Sequence, residues 1–245
     1  MKVQGGLPTY GHVAGILMLD STTPRAPGDP GHAATFSFPV LYEVVRGFTL
    51  DEVRTPQPER LGPVLEAARR LEARGVNFIA TDCGLFSLYQ REISAELHVP
   101  FLGSSLSLVP LVSAMLGPER KVGIISGHTG ILTDLHLRSA GIDMQRAAVV
   151  GMEGCREFVD VVIGGRSVLD MEALAEGVVA AAEELLSREP TVSALVLECT
   201  NLVTFRRDLL ERFGLPVFDL VTLIEMFADA CRLRSFSSEY VRPPR

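Results

Sequence analysis

Cys83 and Cys199 are the two residues of this sequence whose type and placement point most directly to chemistry. Each closes an apolar run (NFIATDC and ALVLEC), follows an acid (Asp82, Glu198) and precedes a helical stretch. A thiolate facing a thiol suits proton transfer at a carbon acid: one takes a proton from one face while the other supplies a proton to the opposite face. Neither cysteine alone completes an inversion of that kind. A helix N-terminus directly after each cysteine would favour the thiolate and offer N–H groups to a substrate carboxylate. Cys155 and Cys231 have no matched partner and are expected to be small buried hydrophobes.

The spacing argues that the two cysteines are equivalent. Cys199 follows Cys83 by 116 residues, and Pro216, opening PVF, follows Pro100, opening PFL, by the same 116. An earlier pair, Gly15 in GILML and Gly123 in GIIS, is offset by 108. Three matches in one order predict an internal duplication, with a loop of different length between the halves.

The elements that must position the cysteines follow from periodicity. Continuous apolar runs predict strands at 13–19, 40–45, 76–81 and 99–102, and again at 121–126, 146–150, 193–197 and 216–218. Helical spacing predicts helices at 60–74, 85–97, 106–116, 131–139, 171–187, 205–213 and 220–233. Such alternation gives parallel sheets covered on both faces, and ligands bind beyond the carboxyl ends of their strands. The predicted division is a first α/β domain from residues 1–116 plus 216–245 and a second from 117–215. Asp82 and Glu198 neighbour the cysteines but should point to the other face, as adjacent strand residues do, which suits a structural role as well as a chemical one. Residues 20–39 carry Pro24, Pro27, Pro30 and Pro39 with Gly28 and Gly31, so neither helix nor central strand can run through them. A connection this long suits a lid or binding loop.

The inventory excludes several functions. The formal net charge is −7 and the arginines are scattered, which disfavours nucleic acid; no apolar run reaches the length of a membrane helix. Four cysteines in 245 residues suit reduced thiols in the cytoplasm rather than a disulfide scaffold, and the N-terminal stretch lacks an apolar signal segment. Metal-ligand spacing, dinucleotide fingerprints and P-loops are missing. The two lysines are Lys2, at the terminus, and Lys121, at the wrong end of a strand, so a pyridoxal Schiff base has no candidate.

The motifs TDCG and LECTN, with MLDST after the first strand, VPFLGSSLSLVP after Cys83 and LPVFDLVTLIE near the end, resemble the Asp/Glu/hydantoin racemase superfamily. The resemblance spans almost the whole chain. It implies two pseudo-symmetric α/β domains of Rossmann or flavodoxin type, with the active site in the interdomain cleft and no cofactor. Cys83 and Cys199 would then be the acid/base pair acting on a small carboxylate-bearing substrate. Asp20 and Ser21 match the family's Asp-Ser pair; Gly84, Thr200 and Asn201 would meet the substrate carboxylate; Ser104, Ser105 and Thr129 are further binding candidates. A homodimer is an assembly the resemblance allows.

Two departures widen the choice of substrate. Glutamate racemases carry Cys-Asn-Thr where this chain has Cys83-Gly84-Leu85, and a glycine-rich turn where it has Thr22-Thr23-Pro24-Arg25. Arg25 is expected to be a solvated loop residue, with pairing to a distal substrate carboxylate as the alternative. The expected activity is cofactor-independent racemisation or epimerisation next to a carboxyl or carbonyl group, in an amino acid or a hydantoin. A maleate-type cis–trans isomerase, an arylmalonate-type decarboxylase (which keeps one cysteine) and a non-catalytic binding protein are the alternatives.

Overall fold

A computed structural model describes residues 5–233; Lys2 and the end of the segment 216–245 lie outside the described residues. Two four-stranded parallel sheets form the frame. The first has order β2-β1-β3-β4 and the second β6-β5-β7-β8. Their strands are β1 (Ala14–Leu19), β2 (Val40–Val45), β3 (Phe78–Thr81) and β4 (Phe101–Leu102), then β5 (Lys121–Ser126), β6 (Ala147–Gly151), β7 (Val192–Leu197) and β8 (Val217–Phe218). The central strands are apolar and buried along nearly their whole length, as strands covered on both faces must be.

The helices are α1 (Leu50–Arg54), α2 (Gly62–Ala73), α3 (Gln90–Ala95), α4 (Leu108–Met115), α5 (Asp134–Ser139), α6 (Arg156–Phe158), α7 (Met171–Arg188), α8 (Arg206–Phe213) and α9 (Leu220–Ala230). Helix α2 buries Val64, Ala67, Ala68 and Leu71 at helical spacing, and α7 buries Leu174, Val178, Ala181, Ala182 and Leu185. Both helices press on a central-strand glycine. A Cβ at Gly15 would lie 3.1 Å from the Leu71 Cβ, and one at Gly123 would lie 2.8 Å from a Leu185 methyl. The matched glycines therefore do the same work in the two halves.

The duplication is visible in the ladders as well. Asp82 N–H donates to the Leu17 carbonyl at 3.1 Å, and Glu198 N–H donates to the Ile125 carbonyl at 2.9 Å. Those pairs are related by the same offsets of 116 and 108 that relate the sequence motifs. Strand β8 pairs with β7, with Leu195 opposite Val217 and Val196 opposite Phe218. Residues 217–218 thus belong with the second sheet, a correction to the division that ended it at 215. The return to the first half begins with α9, whose Phe227 ring lies 5.8 Å from that of Phe78 on β3.

The segments after the cysteines differ from the expected helices. A six-residue 3-10 turn, Gly84–Tyr89, precedes α3, and another, Thr200–Phe205, precedes α8. The first is buried along its whole length, so its residues answer to packing on several sides rather than to one helical face. Tyr89 fixes its far end: the hydroxyl accepts from Gln57 N–H at 2.9 Å and reaches the Glu52 carbonyl at 2.9 Å. Residues 152–170 had no predicted element. They form α6 and a π-helical turn, Val159–Ile163, whose apolar spacing (Phe158, Val161, Val162) was the available signal.

Tyr89→Phe leaves the part-buried Gln57 N–H without its acceptor and the buried Glu52 carbonyl without its donor. It should lower stability by about 1–2 kcal/mol in urea titrations, and an unchanged midpoint would show that the hydroxyl does not anchor this turn.

Candidate active site

The carboxyl ends of β1, β3, β5 and β7 converge on one cleft of about 680 Å³, including its open mouth. Cys83 and Cys199 both line it, from opposite halves, together with Ser21, Gly84, Thr200 and Asn201. Four other predicted residues do not line it. Asp20 accepts from Gly47 N–H at 2.9 Å and closes the turn after β2. Ser104 caps the next turn by accepting from Leu106 N–H at 3.1 Å. The Ser105 hydroxyl donates to the Leu197 carbonyl at 2.8 Å, and Thr129 N–H donates to Glu153 at 2.5 Å. Asp20 and Ser104 thus shape turns, Ser105 ties the two halves together and Thr129 binds the Glu153 carboxylate. Among the other cysteines, Cys155 is half-buried and Cys231 is exposed, contrary to its expected burial.

Asp82 and Glu198 line the cleft too. Strand alternation does not apply to them, because β3 ends at Thr81 and β7 at Leu197, and the chain leaves the pleat there. They bind matched groups: Asp82 Oδ1 accepts from Leu19 N–H at 3.0 Å, and Glu198 Oε2 accepts from Gly127 N–H at 3.3 Å. The apolar wall of Phe158, Val162 and Ile163, and the imidazole of His128, also escaped sequence reasoning. They come from the unpredicted α6 and π-helical turn and from the loop after β5.

The two halves meet at the cysteines. The Thr200 hydroxyl donates to the Asp82 carbonyl at 2.5 Å. A Cβ on Gly84 would run into the Glu198 carbonyl oxygen and come within 2.5 Å of its Oε1. Gly84 is therefore required by close approach, which accounts for its presence where glutamate racemases have asparagine.

Arg25 is half-buried and paired, not solvated. Its guanidinium binds Asp29 at 2.8 Å and also binds Asp82, so residues 20–39 reach down into the cleft. The same loop touches the second half, where the Thr204 hydroxyl donates to the Pro27 carbonyl at 2.9 Å.

The electrostatics reverse one expectation. Burial raises the Cys83 thiol well above its ordinary pKa, with Glu198 and Asp82 adding to the rise and Leu85 N–H opposing it. Cys199 is raised by burial and by Glu198, against Asn201 N–H. The N–H groups of the tight turns do act on the sulfurs, but desolvation and the adjacent acids outweigh them. Burial also pushes Glu198 up to about 7 and Asp82 up to about 6, Arg25 limiting the latter. For Arg25 itself burial is outweighed by Asp82 and Asp29, and it stays charged. Among the described residues no group of three His, Cys, Asp or Glu is arranged to hold a metal, and no helix is long and apolar enough to cross a membrane.

The family model for Asp/Glu/Hydantoin racemase matches residues 40–225, and the chain belongs to that family. Among curated relatives, a dimethylsulfoniopropionate lyase of Durusdinium sp. clade D is 31% identical over 229 residues, covering 90% of this chain and 75% of that one. Dimethylsulfoniopropionate lyase 5 of Emiliania huxleyi is 28% identical over 88% of this chain, which spans only 45% of its length. Among solved structures, allantoin racemase from Pseudomonas fluorescens aligns with a TM-score of 0.56 at 18% identity, covering 89% of this chain and 90% of that one. At that identity the likeness is one of fold, and it matches the two-sheet α/β architecture described above.

Two substitutions probe this site. Glu198 rises from an ordinary 4.5 to about 7, so folding favours its protonated form; that contribution is complete below about pH 4.5 and is lost as pH rises through 7. Glu198→Gln keeps the acceptor for Gly127 and should stabilise the protein at pH 8 by on the order of 3 kcal/mol, with little change at pH 4. A parallel offset at both pH values in denaturant titrations would contradict the buried-acid assignment. Gly84→Ala should cost about 2–3 kcal/mol through overpacking. Gly62→Ala, at a site with open space, should cost nothing, and equal losses would mean that the close approach at Gly84 is not tight.

Proposed function

We propose that this protein removes a proton from the carbon next to a carboxylate and expels a sulfide from the adjacent carbon, acting as a dimethylsulfoniopropionate lyase. The observation that carries the proton-transfer chemistry is the placement of Cys83 and Cys199 at equivalent strand ends, on opposite sides of one cleft. The resemblance to lyases of that name supports the choice of leaving group.

The reaction needs no cofactor. A cysteine thiolate takes the α-proton, the electron pair left on carbon forms the double bond, and the carbon–sulfur bond breaks. Dimethyl sulfide departs with the bonding pair, acrylate remains, and the thiol returns its proton to solvent. The other cysteine, as a thiol, can donate to the substrate carboxylate while charge builds there. Backbone N–H groups of Gly84, Thr200 and Asn201, with the Ser21 hydroxyl, are the proposed carboxylate donors.

The charge balance of the cleft suits this substrate class. Asp29 and Asp82 hold the Arg25 guanidinium, so both of its terminal nitrogens are already committed to carboxylates, while Glu198 meets only the Gly127 N–H. A sulfonium entering beside Glu198 offsets the acid charge that, after burial, holds the thiols protonated, and Phe158, Val162 and Ile163 give its methyl groups an apolar wall. Racemisation or epimerisation of an amino acid or hydantoin is the second reading, favoured by the presence of both opposed cysteines.

Incubation with dimethylsulfoniopropionate should release dimethyl sulfide into the headspace, as read by gas chromatography. Cys83→Ser and Cys199→Ser should each slow release by about a hundredfold or more. Because the thiols lie above their ordinary pKa, kcat/KM should rise about tenfold per pH unit between 7 and 9. Solvent-deuterium exchange into an amino acid or hydantoin, without sulfide release, would select the second reading. Neither release nor exchange would sink both.

A further inference from the structure

The proline-rich loop joins the two cysteines through one line of hydrogen bonds. The Cys199 thiol donates to Asn201 Oδ1 at 3.6 Å, and Asn201 Nδ2 donates to Asp29 Oδ2 at 3.3 Å. Asp29 Oδ1 accepts from Arg25 Nη1 at 2.8 Å and from Gly31 N–H at 2.7 Å. The other arm of Arg25 binds Asp82, the residue before Cys83. Asp29 is 1% exposed and does not line the cleft, so it reaches the chemistry through its charge and through the neighbours it holds rather than by touching a ligand.

The orientation of Asn201 follows from this line. An ionised carboxylate can only accept, so Asn201 must turn its NH2 group toward Asp29 and its carbonyl toward Cys199. A carbonyl oxygen facing sulfur stabilises S–H, whereas an amide N–H would stabilise the thiolate. The other half lacks this device. The position matching Asn201, 116 residues earlier, is Leu85, whose side chain has no polar group.

We propose that Asp29 is a positioning residue: by orienting the Asn201 amide it holds Cys199 as the thiol and leaves Cys83 to serve as the base. The inference rests on the two-thiol reading above and assigns its roles. Other charges act on the same sulfur. Glu198 and Asp29 raise the Cys199 pKa and Arg25 lowers it, while His128 and Asp82 line the same cleft, so the amide must be separated from charge by experiment.

The test is alkylation of the free enzyme by iodoacetamide across pH, with Cys83 and Cys199 resolved by peptide mass spectrometry. Asn201→Ala removes the acceptor without changing charge; it should speed Cys199 alkylation at pH 8 at least about threefold and leave Cys83 within about twofold. Asp29→Asn lets the amide turn its N–H groups to sulfur and should speed Cys199 about tenfold. On the Asn201→Ala background it should add less than about twofold, as expected for residues acting in series. An equal acceleration in both backgrounds would mean that Asp29 acts by charge alone and would overturn the proposal. So would a Cys199 rate unaffected by Asn201→Ala, or a Cys83 rate that rises in step. Should Asp29→Asn fail to fold, Asn201→Ala decides the matter by the same criteria. No substrate is involved, so a failure to release dimethyl sulfide would leave this result standing.

Discussion

The contact between the two strand ends, where Asp82-Cys83-Gly84 meets Glu198-Cys199-Thr200, is the constraint on which the cleft depends. A carbonyl at the end of a parallel strand has no further ladder partner and must be satisfied elsewhere when buried. Here the second half supplies a donor to the first, Thr200 to Asp82 at 2.5 Å, and the first supplies one to the second, Ser105 to Leu197 at 2.8 Å. Gly84 lets the backbones approach closely enough for both bonds to form. The spacing of the cysteines is thus set by backbone geometry on two rigid sheets rather than by loops. A side chain at position 84 would disturb the relation between the halves before it touched any substrate.

That closeness has an electrostatic consequence. Two buried acids adjoin two half-buried thiols, and each acid makes its neighbouring thiolate harder to form. Only Asp82 has a guanidinium against it; Glu198 has one backbone N–H and is raised to about 7. A site of this kind holds its bases in reserve until positive charge enters, because a cation beside Glu198 and the sulfurs favours the ionised form of all three. A bound cation would therefore favour the thiolates, while a simple anion would oppose them.

Much of this was legible in the sequence, and the reason is the duplication. Equal offsets for Cys83 and Cys199 and for Pro100 and Pro216 identified equivalent strand ends, and parallel strands place their ends at sites. The strands and the convergence of the cysteines therefore followed from pattern, although the division by sequence put β8 with the wrong sheet. What escaped depended on details that pattern does not carry. Alternation along a strand turned Asp82 and Glu198 away, whereas the pleat ends one residue before each of them. Arg25 read as a solvated residue among prolines because its partners, Asp29 and Asp82, are 4 and 57 residues away and nothing local announces them. Asp20, Ser104, Ser105 and Thr129 carried the polarity of binding residues but spend it within the fold: Asp20 and Ser104 on turns, Ser105 on the Leu197 carbonyl of the other half and Thr129 on the Glu153 carboxylate. The π-helical wall was missed because a short apolar stretch gives no clear period.

The duplication also explains why the one unduplicated segment matters. Two equivalent halves place two equivalent thiols in the cleft, and inversion in both directions would use them equally. Residues 20–39 break that equivalence. They lie between β1 and β2, whereas the matching connection between β5 and β6 carries the short helix α5 instead. From the first half the loop brings Arg25 to Asp82; toward the second it brings Asp29 to Asn201 and Pro27 to Thr204. Each sulfur meets a backbone N–H two residues on, from Leu85 and from Asn201, but only Cys199 also has a side-chain amide beside it. A pair of unlike thiols is a poor arrangement for reversible racemisation and a good one for a reaction that needs a single base and runs one way, as the expulsion of a neutral sulfide does.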